Sequence, residues 1–189
     1  MNSDAVIARL RQFEGITNYM YRCTGGDVTV GIGHALLAEA NASGLTWQVN
    51  GAPAAPAQIV ADYHAVAAAP LGQVASAYQH LTQCRMAEAD VETLVSADVV
   101  AFEERLRQVL PNWNTYPEPV QEALFDMAFN LGVGGLLKFQ QLLKAVNAGD
   151  WSTAAAQCHR RGISDARNQA TAALFLQAGQ APLQAGSAG

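Results

Sequence analysis

The stretch TNYMYRCTGGDVTVGIG, residues 17–33, turns on a Gly25-Gly26 pair and then alternates apolar with small or polar residues. A two-residue period across a glycine turn predicts an antiparallel hairpin, about 17–23 and 27–33, turned around TGGD. In the second strand Val28, Val30 and Ile32 share the core face. Asp27, Thr29, Gly31 and Gly33 share the other. That face has almost no bulk, as expected where another molecule comes close.

Most of the remaining chain has helical periodicity. Ser3 or Asp4 can cap a first helix whose apolar face is Val6, Ile7, Leu10 and Phe13. Gly15 ends it, so Glu14 lies in its last turn. Residues 35–55 are loop-rich, and a helix follows at 56–69. Residues 86–110 read as one long helix ended by Pro111. Pro117 or Pro119 opens the next, closed by Gly132. A helix at 136–147 turns Leu136, Phe139, Leu142, Leu143 and Val146 inward. Asp150 and Ser164 cap two more. The fold class is α+β and mostly helical: a hairpin lobe (about 15–55), and a helical lobe (about 56–178 plus helix 3–14), with a cleft between. Residues 179–189 have the composition of a flexible tail.

Half of the 189 residues are hydrophobic and 14% are charged, with a formal net charge of −5. That balance argues against nucleic-acid binding, which needs a basic surface. No apolar run reaches membrane-spanning length, and the start lacks the features of a signal peptide. The expectation is synthesis in the cytoplasm, no membrane insertion, and a monomer. Three widely spaced cysteines, Cys23, Cys84 and Cys158, do not describe a disulfide scaffold, although a Cys84–Cys158 bridge is open in an oxidising compartment.

A carboxyl group at a helix C-terminus feels the negative pole of the helix dipole, which raises its pKa, as a general acid requires. Glu14 is so placed, and Thr29 can hold a water or a substrate hydroxyl. On periodicity alone, a solvated helix-end acid and an ordinary strand threonine explain the pair as well.

Order and spacing add to this. Glu14, Cys23 nine residues on, Thr29 six further, then VGIGH through His34, closely resemble the active-site segment of phage-type lysozymes, glycoside hydrolase family 24. Residues 123–151 and 161–175 resemble that family's central-helix and C-terminal segments, in the same order. The resemblance implies a lysozyme-like fold and cleavage of the β-1,4 bond between N-acetylmuramic acid and N-acetylglucosamine in bacterial peptidoglycan. It implies Glu14 as general acid and Thr29 as the residue that positions the attacking water. Gly31, Gly33 and His34 follow as site-supporting residues. Arg167 corresponds to a family Arg near the catalytic Glu; paired with Glu14 it would oppose the helix-end effect, leaving the direction of the pKa shift open. Asn130 either faces the sugar's amide groups or satisfies the helix end. The resemblance calls for no cofactor and no metal.

Cys23 stands where the family usually has its second carboxylate. Three readings compete. Cys23 works as a thiolate, with Arg22 next door although strand neighbours face opposite ways. Alternatively, Asp27 supplies the carboxylate from the face of Thr29, or is only a turn residue. Or Glu14 works alone, as in a lytic transglycosylase. A glycan-binding module that does not cut is the rival from another class.

Other residues are read as packing. Cys84 and Cys158 are buried small side chains rather than zinc ligands with His80 and His159, because adjacent helical residues point about 100° apart. Trp113 and Trp151 are anchors, and Trp47, in the loop beyond the hairpin, is the candidate sugar platform. Arg160, Arg161 and Arg167 either contact anionic peptide stems or are solvated. Residues 35–85 are longer than compact family members need and are open to substrate contact or to docking an immunity protein or secretion-system component. Delivery to the wall would use a holin, for a phage endolysin, or a secretion system, for an antibacterial effector.

Overall fold

The computed structural model of the chain describes residues 1–180, so the expected tail lies, from 181 onward, outside the described residues. The architecture is α+β and mostly helical, as the resemblance implied. Contacts group the chain into two units. One comprises residues 10–99, the other residues 1–9 with 100 onward.

Within residues 10–99, the last turn of α1 (Ser3–Glu14) precedes a three-stranded antiparallel sheet in the order β1 (Thr17–Arg22), β2 (Val28–Gly31), β3 (His34–Leu36). The predicted first hairpin forms, with Arg22 opposite Val28 and Tyr21 opposite Thr29. The second strand stops earlier than its alternation predicts. Gly31 (φ +70°) and Gly33 (φ +109°) bracket a tight turn that reverses the chain into β3. These glycines serve left-handed backbone positions rather than a cleared strand face. All four residues of β2 are buried, Thr29 and Gly31 included. An added Cβ on Gly31 would stand 3.6 Å from Val95 Cγ2 on α4 (Glu88–Val109). Ile32, expected in the core, is in the turn and partly exposed.

The stretch 35–55 holds more structure than expected. It contains α2 (Glu39–Ser43) and a short hairpin, β4 (Gln48–Val49) and β5 (Ala52–Pro53). Asn50 and Gly51 turn that hairpin with φ of 52° and 81°, the pattern of an Asn-Gly turn. Helix α3 (Pro56–Ala68) follows, then a 3-10 helix at Ala75–Leu81. Asp62, buried on α3, accepts the backbone N–H groups of Gln83 and Cys84 and so ties the segment after the 3-10 helix to α3.

The other unit is helical: α5 (Glu118–Leu131), α6 (Val133–Leu136), α7 (Gln140–Ala148), α8 (Trp151–Gln157) and α9 (Asp165–Gln180). The single helix expected at 136–147 is two, because the chain turns at Leu137–Phe139. Asp150 caps α8 by accepting Thr153 N–H at 3.0 Å, and Ser164 Oγ accepts Arg167 N–H at 3.3 Å. Helix α5 is buried along most of its length, yet it carries Asp126 among Phe125, Met127 and Ala128. A carboxylate there needs partners. Asp126 Oδ1 accepts from Arg167 Nε at 3.0 Å and Nη2 at 2.8 Å, and Oδ2 accepts from Arg160 Nη2 at 2.9 Å. Arg160 and Arg167 are both buried, so of the late arginines only Arg161 is a solvated cation. The expectation of a basic surface cluster is corrected: two of its three charges are held inside the fold by a carboxylate from another helix.

Candidate active site

Glu14 ends α1 and is exposed. It lines a cavity of about 280 Å³ within residues 10–99, together with Tyr21, Arg22, Cys23, Thr24 and Gly31. Gln73 and Ala75 complete another wall. The acid and the thiol singled out in the sequence therefore share one cavity.

The hairpin turn builds the surroundings of Cys23. Cys23 N–H donates to Asp27 O and Gly26 N–H to Cys23 O, both at 3.0 Å. This folds residues 25–27 back over the sulfur. Burial works against the thiolate and is the largest single influence on this thiol. It is outweighed by the Thr29 hydroxyl and the backbone groups of Asp27, Gly25 and Gly26, which together hold the thiol below its ordinary pKa. The Thr29 hydroxyl has a second acceptor, Asp27 O at 3.0 Å. The Thr29 hydroxyl thus lies within the turn that surrounds Cys23.

Thr29, expected to position a water, is 1% exposed and is not among the residues that line the cavity. Its hydroxyl favours the Cys23 thiolate. Asp27 is an exposed turn residue whose backbone carbonyl is what the turn uses, and it too lies outside the cavity lining. Arg22 donates from Nε to Gly26 O and from Nη1 to Ala69 O, holding the turn in place.

Tyr21, two residues before Cys23 on β1, was not anticipated. Its alternation with Cys23 is the signal that could have found it. Burial pushes its phenol up to about 12, and the charges of Cys23 and Glu14 add to the shift. It remains a neutral donor across the working range of any such site. Gln73 carries no comparable signal, because only the tertiary path of the loop before the 3-10 helix brings it to the cavity.

The other expected residues separate by position. His34 Nδ1 pairs with Asp98 Oδ1 at 2.8 Å and joins the start of β3 to α4. Gly33 lies in the turn beside it, with open space where a Cβ would stand. Trp47 is 3% exposed, and its Nε1 donates to Ala42 O at 2.8 Å. The sugar-platform expectation is corrected: a ring sealed in the core has no free face. Trp113 is buried as expected and donates to Glu103 Oε1 at 3.1 Å. Asn130 and Arg167 belong to the other unit. Asn130 Oδ1 is buried without a hydrogen-bond partner among the described residues, and within its own unit Arg167 is engaged by Asp126.

All three cysteines are free thiols, so the Cys84–Cys158 bridge is absent. Both are buried, as read from the sequence. Burial and then the Asp62 carboxylate push Cys84 up to about 12, and burial raises Cys158 despite Arg160. Among the described residues no helix is long and apolar enough to cross a membrane.

Residues 11–174 match the family described as Phage lysozyme. The chain is also similar to the pre-baseplate central spike protein Gp5 of Enterobacteria phage T4, 30% identical over 148 residues. The match covers 77% of this chain and 22% of that protein, so the chain spans under a quarter of that relative. The family match begins before Glu14, runs through Cys23 and Thr29, and ends inside α9; the chain belongs to the phage lysozyme family.

Proposed function

We propose that this chain degrades bacterial peptidoglycan as a muramidase, with Glu14 as general acid and Cys23, as a thiolate, in place of the usual second carboxylate. The observation that carries the reading is the shared cavity: Glu14 and Cys23 line it together, and the turn around Cys23 favours its anion. Glu14 donates its proton to the glycosidic oxygen as the bond from C1 to that oxygen breaks. Positive charge develops on the sugar ring. Water adds to C1 from the opposite face and gives its proton to the Cys23 thiolate. Exchange with solvent then returns the proton to Glu14. Thr29 is a positioning residue whose hydroxyl favours the thiolate, and Tyr21 supplies a neutral hydrogen-bond donor in the same cavity.

The alternatives lose support at specific places. Asp27 lies outside the cavity lining, which disfavours it as the second carboxylate. A site with Glu14 alone would leave the thiolate-favouring turn without a role. For delivery, similarity to a phage central spike protein favours transport by a spike-bearing apparatus over release through a holin.

Product analysis of digested peptidoglycan tests the reading, comparing wild type, Glu14→Gln and Cys23→Ala. Reducing muramic acid ends, lost in both variants, are expected. Anhydro ends would mean a lytic transglycosylase, full activity in Cys23→Ala would remove the thiolate from the mechanism, and glycan binding without cleavage by wild type would mean a binding module.

A further inference from the structure

The loop between α3 and the 3-10 helix supplies a wall of the Glu14–Cys23 cavity, and that wall has its own chemistry. Gln73 and Ala75 both line the cavity; glutamine carries a primary carboxamide and alanine a methyl group. The loop is held in position at its base. Arg22 Nη1 donates to Ala69 O, and Tyr78 Oη donates to Pro70 O at 2.7 Å. Leu71 lies over the hairpin turn that holds Cys23, its Cδ2 3.8 Å from where a Cβ on Gly26 would stand. From Ala75 the chain is already in the 3-10 helix. Gln73 is thus presented by a fastened segment, with the exposed apolar side chains of Leu71 and Val74 on either side of it in sequence.

A carboxamide and a methyl lining one cavity are the chemical complement of an acetamido group. The amide oxygen accepts from the acetamido N–H, its NH₂ donates to the acetamido C=O, and the apolar surface meets the acetyl methyl. We infer that Gln73 is a specificity-determining residue that reads the N-acetyl group of the hexosamine bound in the Glu14–Cys23 cavity. The inference rests on the glycan-cleaving reading above and assigns the loop preceding the 3-10 helix to substrate choice.

The test separates binding from cleavage. Soluble peptidoglycan tetrasaccharide and the same fragment after N-deacetylation are titrated calorimetrically against Glu14→Gln and against Glu14→Gln/Gln73→Ala. Loss of the amide is expected to weaken binding of the acetylated fragment about three- to tenfold, the effect of one or two hydrogen bonds. Binding of the deacetylated fragment is expected to be the same in both proteins. In the Glu14-intact background, Gln73→Ala should raise KM on acetylated wall by a similar factor and leave kcat within about twofold. Gln73 is exposed, so folding is expected to be unchanged; an equal thermal midpoint verifies it. Equal losses on both fragments, no loss on either, or no binding of either fragment to Glu14→Gln would overturn the inference. If wild type fails to cleave peptidoglycan while the acetylated fragment still binds through Gln73, the muramidase reading falls and the assignment of Gln73 stands.

Discussion

Replacing Asp126 by Asn removes one negative charge and keeps the volume. Asp126 is 1% exposed and its two oxygens accept four hydrogen bonds, three from guanidinium groups and one from Thr171 Oγ1 at 3.0 Å. Asn has one acceptor oxygen, and its NH₂ would point donors at donors. Two buried guanidinium groups would then lose the carboxylate that bridges them. Breaking a buried ion pair from one side costs about 3–5 kcal/mol. In a chain of this size that is a fall in thermal midpoint of roughly 6–20 °C. The exposed Arg11–Glu92 pair, with side chains 48% and 52% exposed, is the control. Glu92→Gln should cost about 1 kcal/mol at most. Thermal and urea unfolding followed by circular dichroism give both values. A midpoint for Asp126→Asn within about 2 °C of Glu92→Gln would refute the reasoning, since it would mean the buried guanidiniums had found compensation elsewhere. The pH dependence has a definite sign. Burial, the largest influence, raises the Asp126 pKa, but Arg167 and Arg160 together bring it below the ordinary carboxylate value. A depressed folded pKa gives stability that is fully present above the unfolded value of about 3.9 and is lost as pH falls through the folded value. The gap between wild type and variant should therefore close below pH ~4.

Three further outcomes are expected. Iodoacetamide at neutral pH should label Cys23 first, because Cys84 and Cys158 are buried with raised pKa values; labelling of Cys84 at a comparable rate, read by peptide mass, would contradict the assignment. Thr29→Val removes the hydroxyl that favours the Cys23 thiolate, so the pH midpoint of Cys23 alkylation should move up; an unchanged midpoint would mean the backbone groups of the turn alone set it. Trp47→Ala should cost about 3–5 kcal/mol in unfolding free energy, as for other buried aromatics, with saccharide affinity of the folded protein unchanged; a selective loss of affinity would restore the sugar-platform reading.

The first helix, the hairpin, α3, α4, α5 and the capped α8 and α9 were legible because each rests on local information. Ser164 and Asp150 announce helix starts, Pro111 and Gly132 announce ends, and Gly25-Gly26 announces a turn. Glu14 and Cys23 were singled out by their spacing inside those local elements, and the structure places both on one cavity. The third strand was less so: VGIGH reads as a continuation of alternation, and only the pairing of Val28 with Leu36 and Val30 with His34 makes Gly31 and Gly33 turn residues.

What the tertiary structure decided is where polar groups find their partners. A sequence marks Asp126 as an acid in an apolar run but not that Arg160 and Arg167, 34 and 41 residues on, neutralise it. It marks Thr29 as a small polar strand residue but not that its strand is buried along its whole length, with the Thr29 hydroxyl favouring the Cys23 thiolate. It gives no sign that Gln73 reaches the cavity. Helix and turn formation depend on neighbours a few positions apart, which composition and spacing encode directly. Burial and charge compensation depend on residues brought together across tens of positions, and there the Cys23 thiol acquires the surroundings that hold its pKa below the ordinary value.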